Sequence, residues 1–436
     1  MLYSLDVDMQ QTITVILVCI FVVFGSNASA YEPEALTLER AVEIATANNQ
    51  GLEMARADAE ASRAIPSQEG ALPDPMLGLN ALNLPTDTFD LDQEPMTQMQ
   101  VSLSQKFPFP GRRGLQQEAG EKDATAAVFH ISEQQNQLVA KVRSAWWQLA
   151  YLDQAIEIIE QNQNLMRDFI EIAQTKYKVG KGLQQDVLLA QLELSKLINR
   201  QLPLEGMREA AEAELNALMD RQPGERIVLD TRELNVSLRE LPPQEDLLQI
   251  SLASRPLLDV QREKVEAARL RVDVAKKKSW PDFTVGAAYG FRDATDPTGR
   301  DLPDVMSFRL GFNLPIYSGS KQDKEIEQRT STYFGRKYAF NESLRVIQAD
   351  VAKNHARYHA ASDQVSLYES AIIPQAQQTV SAMLSGYQVN KVDFLNVVNA
   401  QLALYNAQIS YWEALSNAKQ SLAFLAAAVG SEDLYE

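Results

Sequence analysis

His355 and His359 stand four residues apart. That spacing puts two imidazoles on one face of a helix, where together they could hold a transition metal. No cysteine or carboxylate framework surrounds them in the sequence, and the third histidine, His130, is remote. On the sequence alone, ordinary helix histidines are therefore the expectation, with no metal or cofactor. Asp186 and Asp393 offer different chemistry, because each lies inside one copy of a repeated segment, within one or two turns of the tip predicted there. Multiplied by symmetry about an axis, such carboxylates become rings that favour cations in a passage. The same positions, at the start of a helix, also suit an acidic residue that faces solvent and meets the helix dipole. Gly-rich phosphate loops and nucleophile elbows are absent, so no catalytic constellation competes and no enzyme is expected.

The repeated segment runs from Tyr177 to Leu194 and returns from Tyr387 to Leu404, at a spacing of 387 − 177 = 210 residues. Tyr177/Tyr387, Val179/Val389, Lys181/Lys391, Val187/Val397, Ala190/Ala400, Gln191/Gln401, Leu192/Leu402 and Leu194/Leu404 are identical in register. Each copy follows a long helical pattern, breaks briefly and resumes as helix, which predicts the tip of a helical hairpin. Gly180 and Gly182 are expected to supply the backbone freedom of the first turn, with Asn390 taking the place of Gly180 in the second. Two such tips imply a duplicated molecule.

The elements that position the tips follow the same duplicated plan. A helix is predicted from Thr37 to about Ala64, with Pro66 expected to kink or end it. Strands follow at about 76–84 and 96–107. A rod from about Arg112 to Tyr177 then holds no glycine after Gly120 and no proline. Its roughly 65 residues at 1.5 Å each would reach about 100 Å. The returning helix runs from about Leu183 towards Met219, with Pro203 a predicted kink or break. After 223–243 the order repeats: a helix from Gln244 to Lys278, strands at about 283–291 and 304–316, a second rod from about Lys321 bent at Pro374, and a last helix from about Phe394 to Gly430. We expect a first repeat at 31–222 with its tip at about 177–186, a linker at 223–243, a second repeat at 244–430 with its tip at about 387–393, and a tail at 431–436.

The strands carry an apolar face and a polar or small one: Met99, Val101 and Leu103 alternate with Gln98, Gln100, Ser102 and Ser104, and Phe308, Leu310 and Phe312 with Ser307, Arg309 and Gly311. A membrane β-barrel wall has this pattern, and so does a soluble hairpin laid on a core. Phe107, Phe109, Trp280 and Tyr317 gather at one end of the strands, as an interfacial girdle requires. Four strands cannot close a membrane barrel, and lipid tolerates no open edge, so several chains must contribute; three copies would give twelve strands.

The net charge of −17 sets nucleic acid aside as a partner. Residues Ile13 to Phe24 form an apolar run followed by Ala28-Ser29-Ala30, which predicts a secretory signal at 1–30 cleaved before Tyr31, with translation starting at Met1 or Met9. Cys19, the one cysteine, lies inside that run and lacks the small residue before it that lipid attachment wants.

On its two-fold order of helix, strand pair and hairpin, PDPMLGL near the first strand, QKFPFPGRRG at the exit of the second, and twin tips ending in Ala-Gln-Leu, the chain resembles the TolC-like outer-membrane efflux family. The resemblance covers nearly all of the chain after residue 30. It implies a mainly α fold with a membrane β-barrel portion: a homotrimer with a twelve-stranded barrel in the outer membrane and a helical tunnel in the periplasm. The tips, Val179, Gly180, Lys181, Gly182, Val389, Asn390 and Lys391, would meet a periplasmic adaptor and, through it, an inner-membrane pump. The PDPML and FPFPG wording is most similar to members that serve heavy-metal pumps of the resistance-nodulation-division type. A duct for type I protein secretion and a secreted coiled-coil structural protein are the alternatives.

Overall fold

The structure is a computed structural model and describes residues 35–234 and 237–435. The expected signal segment lies outside them. In chain order the elements are α1 (Leu38–Asn48), α2 (Gln50–Gly70), β1 (Met76–Leu82), β2 (Gln98–Phe107), α3 (Arg112–Lys178), α4 (Gln184–Leu218), α5 (Gln244–Ser254), α6 (Pro256–Lys277), β3 (Phe283–Phe291), β4 (Val305–Phe312), α7 (Gln322–Leu367), α8 (Ile373–Gln388) and α9 (Phe394–Val429). The fold is mainly helical, with a strand pair in each duplicated half.

Several boundaries differ from the expected ones, each for a local reason. The first helix breaks at Asn49, whose extended backbone and Oδ1, accepting from the Leu52 N–H at 3.2 Å, start α2 afresh. The matching helix in the second half breaks at Arg255, where Pro256 takes the first turn of α6. Pro66 does not end α2, which continues to Gly70. The ring is buried against α3 at Gly120, where even an added Cβ would come within 3.3 Å of the Pro66 Cα, so tertiary packing offsets the missing hydrogen bond. Pro203 likewise lies inside an unbroken α4. Ahead of Pro374 a π-helical turn at Tyr368–Ile372 absorbs the irregularity. β1 stops short of residue 84 because Asn83 turns left-handed, with φ 52°. There Asn83 Nδ2 donates to the Met96 carbonyl at 3.0 Å and Thr97 Oγ1 to the Asn83 carbonyl at 2.8 Å, which also removes residues 96 and 97 from β2. β4 ends at Phe312, since Asn313 turns its Oδ1 to accept from the Asp282 N–H at 2.6 Å.

The four strands form one antiparallel sheet in the order β1-β2-β3-β4. Its rows are sorted by chemistry. Leu77, Leu103, Ala287 and Phe308 share one row, and Leu79, Val101, Tyr289 and Met306 another. Gly78, Ser102, Ala288 and Ser307 occupy the opposite face, as do Met76, Ser104, Gly286 and Arg309. In this single chain the apolar face is bare, with Leu79 75% exposed, Phe308 81% and Leu310 70%. The other face is shielded in the middle of the sheet, where Gly286 and Gly290 are buried, and open on the edge strands at Asn80, Ser307 and Arg309. The sheet therefore presents its apolar side outward and its small and polar side inward, the inverse of a soluble hairpin on a core.

Below the sheet the helices bury their stripes against one another. Trp146, Leu149 and Leu152 of α3 are enclosed with Leu215 of α4 and Ile227, and the Trp146 indole donates to the Leu36 carbonyl at 3.3 Å. Nearer the tips, Ile159, Met166 and Phe169 pack with Leu197, Tyr387, Phe394 and Val397. Among the described residues no helix is long and apolar enough to cross a membrane.

Candidate functional site

The two tips close alike. Lys181 N–H donates to the Lys176 carbonyl at 2.8 Å and Lys391 N–H to the Gly386 carbonyl at 2.9 Å, a six-to-one bond across a left-handed residue. That residue is Gly180 at φ 71° in the first tip and Asn390 at φ 57° in the second, as the sequence predicts. Gly182 differs from expectation, because its φ is not positive. Its constraint is steric: a Cβ there would come within 2.8 Å of the Lys176 Cβ, so glycine lets the returning chain pass close to the end of α3. Val179, Gly180, Lys181, Val389, Asn390 and Lys391 are all exposed, and Gly182 is half-buried.

The tips also touch. Lys176 Nζ donates to the Tyr387 carbonyl at 2.7 Å and to Asn390 Oδ1 at 3.0 Å, and lies 3.8 Å from the centre of the Tyr387 ring. One lysine of the first hairpin thus holds the backbone and ring of the second. Burial pushes the Tyr387 phenol above its ordinary range, and the Asp186 charge adds to the shift. Tyr177, identical in sequence to Tyr387, is exposed, whereas Tyr387 packs on Phe394 with ring centroids 5.3 Å apart. Nothing in the repeat alone separates these two tyrosines, so sequence reasoning missed the Lys176 contact.

Asp186 and Asp393 line one cavity of about 680 Å³ between the tips, with Lys181, Gly182, Tyr387 and Asn390. Asp186 sits in the first turn of α4 and is half-buried. Asp393 occupies the N-cap position of α9, yet its side chain makes no capping hydrogen bond and is exposed.

At the opposite end of the rods the four aromatic residues fall beside the sheet. Phe109 stacks on Trp280 with centroids 5.4 Å apart, and Phe107 shares a row with Phe283 and Phe312. Trp280 and Tyr317 are exposed. The far end carries its own aromatics, Tyr289 and Phe291, 4.8 Å apart. Between sheet and helices lies a knot the sequence did not reveal. Asp282 accepts from the Phe109 N–H at 3.0 Å, from Arg112 Nη1 at 2.8 Å and Nη2 at 3.1 Å, and from Lys106 Nζ at 3.2 Å. Burial pushes its carboxyl up, but these donors outweigh burial and hold it below the usual carboxylate range. The repeated Pro-Asp of Pro73-Asp74 and Pro281-Asp282 was the available signal; only the second aspartate is buried.

Comparison with known proteins agrees with this geometry. The sequence profile of the family described as outer membrane efflux protein matches residues 41–221 and 247–431. The cobalt-zinc-cadmium resistance protein CzcC of Cupriavidus metallidurans is 21% identical over 88% of each chain. The fold is similar to the open state of the MtrE outer membrane channel of Neisseria gonorrhoeae, with TM-score 0.75 and 17% identity over 90% of this chain and 89% of that one. It is also similar to the outer membrane protein VceC of Vibrio cholerae, with TM-score 0.73 and 19% identity over 92% and 97%.

Proposed function

Since the chain belongs to the outer membrane efflux protein family, and is an efflux channel of the outer membrane that extends into the periplasm rather than an enzyme, we propose that its cargo is heavy-metal cations. Members of the family form trimers that work with an adaptor and an inner-membrane pump. In the reading we put forward, this chain is a homotrimer of repeats 31–222 and 244–430 joined by 223–243, served by a resistance-nodulation-division pump. The observation that carries the duct is the sheet, whose apolar rows are bare and whose outer edges on β1 and β4 have no partner strand among the described residues. The cargo rests on the relation to the cobalt-zinc-cadmium resistance protein, which covers 88% of each chain. Deleting the gene should sensitise cells to divalent cobalt, zinc or cadmium and restoring it should reverse this; unchanged metal tolerance with altered tolerance of organic toxicants would overturn the cargo.

The tips supply the adaptor surface in this reading, because the rods carry them farthest from the sheet. Gly180→Val forces a β-branched residue into the left-handed region, at a cost of about 1–2 kcal/mol. Adaptor crosslinking to the tip should fall while trimers still form, and unchanged crosslinking and export would remove this assignment.

Asp186 and Asp393 are the candidate aperture rings. Threefold symmetry makes three of each, and the missing cap bond at Asp393 leaves its carboxylate unengaged by its own helix. Purified channels in planar bilayers should prefer cations, and the double variant Asp186→Asn with Asp393→Asn should shift the reversal potential towards zero. A pair acting only on its helices would change stability by about 1 kcal/mol and leave the reversal potential alone.

A further inference from the structure

We propose that His355 and His359 form a two-imidazole binding site on α7 for a late first-row divalent transition metal, an inference independent of what the channel conducts. The two Nε2 atoms face each other 3.3 Å apart, with ring centroids 4.5 Å apart and planes inclined at 66°. In the metal-free chain one nitrogen must hold a proton for the other to accept. A metal bound 2.0–2.1 Å from each nitrogen across that 3.3 Å gap would subtend about 107°, close to the tetrahedral angle, so the spacing suits a chelate once the shared proton leaves and the rings tilt their lone pairs towards the ion.

The surroundings favour a site over a chance pair. His355 Nε2 also lies 3.3 Å from the Pro242 carbonyl oxygen, which accepts from it when that nitrogen is protonated and is a candidate oxygen ligand once a metal displaces the proton. The intervening turn is anchored, since Tyr358 is fully buried and its hydroxyl donates to the Arg239 carbonyl at 2.6 Å, fastening α7 beneath the segment that carries Pro242. Both imidazoles are half-buried, and so remain reachable. Among the described residues no group of three or more His, Cys, Asp or Glu gathers around a common point, so the remaining coordination positions fall to water. Such a site selects for imidazole-loving metals, rising from Co²⁺ through Ni²⁺ to Cu²⁺, and passes over Mg²⁺ and Ca²⁺, which want oxygen cages.

The test uses the full chain, purified in detergent without a histidine tag and titrated with CuCl₂, NiCl₂, CoCl₂ and MgCl₂. We expect one site per chain, Cu²⁺ bound most tightly, Mg²⁺ not at all, and a Cu²⁺ electron paramagnetic resonance spectrum showing two imidazole nitrogens. His355→Ala and His359→Ala should each weaken Ni²⁺ binding at least tenfold, and His130→Ala should leave it unchanged. In the unsubstituted chain, which removes any question of folding, Ni²⁺ should protect His355 and His359 but not His130 from diethyl pyrocarbonate. Equal Ni²⁺ affinity in all three variants, a copper spectrum without two nitrogens, or absence of selective protection would each overturn the proposal.

Discussion

Phe308→Arg should prevent most of the protein from reaching the folded, membrane-embedded state, whereas Ser307→Arg, one residue earlier in the same strand, should leave assembly intact. Phe308 lies in the outward row with Leu77, Leu103 and Ala287 and is 81% exposed. In lipid that position meets hydrocarbon, and an arginine near the bilayer midplane costs about 2–4 kcal/mol in each chain. Every copy in an assembly would carry the same cost. Ser307 faces the other way, beside Ala288, where a charge meets a water-filled passage. Membrane fractions probed by unheated gel electrophoresis would show loss of the heat-sensitive oligomer for Phe308→Arg alone. Equal tolerance of the two substitutions would mean that the apolar face is covered by protein and does not meet lipid.

Asp282→Ala is the second change with a large expected effect. Its carboxylate is 9% exposed and receives a bidentate Arg112, Lys106 and the Phe109 N–H. Removing it strands Arg112, itself 14% exposed, where strand gives way to helix. Breaking such a pair costs about 3–5 kcal/mol when fully buried, and about 2–3 kcal/mol is expected at this partly wetted junction. Because the folded carboxyl titrates below its unfolded value, its stabilisation is complete above the unfolded value and is lost as pH falls through the folded one. The unsubstituted channel should therefore keep this knot at mildly acidic pH and lose it only in strong acid. Asp282→Ala should lower the melting temperature at pH 7 and flatten the acid dependence; an unchanged melting curve would show that the knot contributes nothing. Asp74→Ala, at the repeat-equivalent position, is the control, since Asp74 is exposed.

Much of this was legible because the sequence repeats its local physics. The alternation in β2, β3 and β4 sorts side chains by face, and Gly180 and Asn390 mark the two left-handed turns by residue type alone. What escaped was set by tertiary contacts between the repeats. Pro66 reads as a helix end, yet Gly120 lies 54 residues away in sequence and makes room for the ring. Tyr177 and Tyr387 are indistinguishable as letters, and only the tertiary surroundings, Phe394 beside it and Lys176 from the other hairpin, bury one of them. Asp282 carried a faint signal in the repeated Pro-Asp, but its partners, Lys106, Phe109 and Arg112, come from the other half of the chain. Local rules reveal faces and turns; they do not reveal which half reaches across to which.

Closure of the free β1 and β4 edges by neighbouring copies should be detectable by cysteine crosslinking across that seam. Cys19 is the sole native cysteine and lies in the segment expected to be cleaved. A panel pairing Gly78→Cys or Asn80→Cys on β1 with Ser307→Cys or Arg309→Cys on β4 samples the neighbouring registers on the inward face. Oxidation of at least one pair in membranes should yield covalent dimers and trimers and nothing larger, while each single-cysteine variant stays monomeric under denaturing conditions. A detergent-free, folded monomer in which no pair forms an intermolecular bond would contradict it.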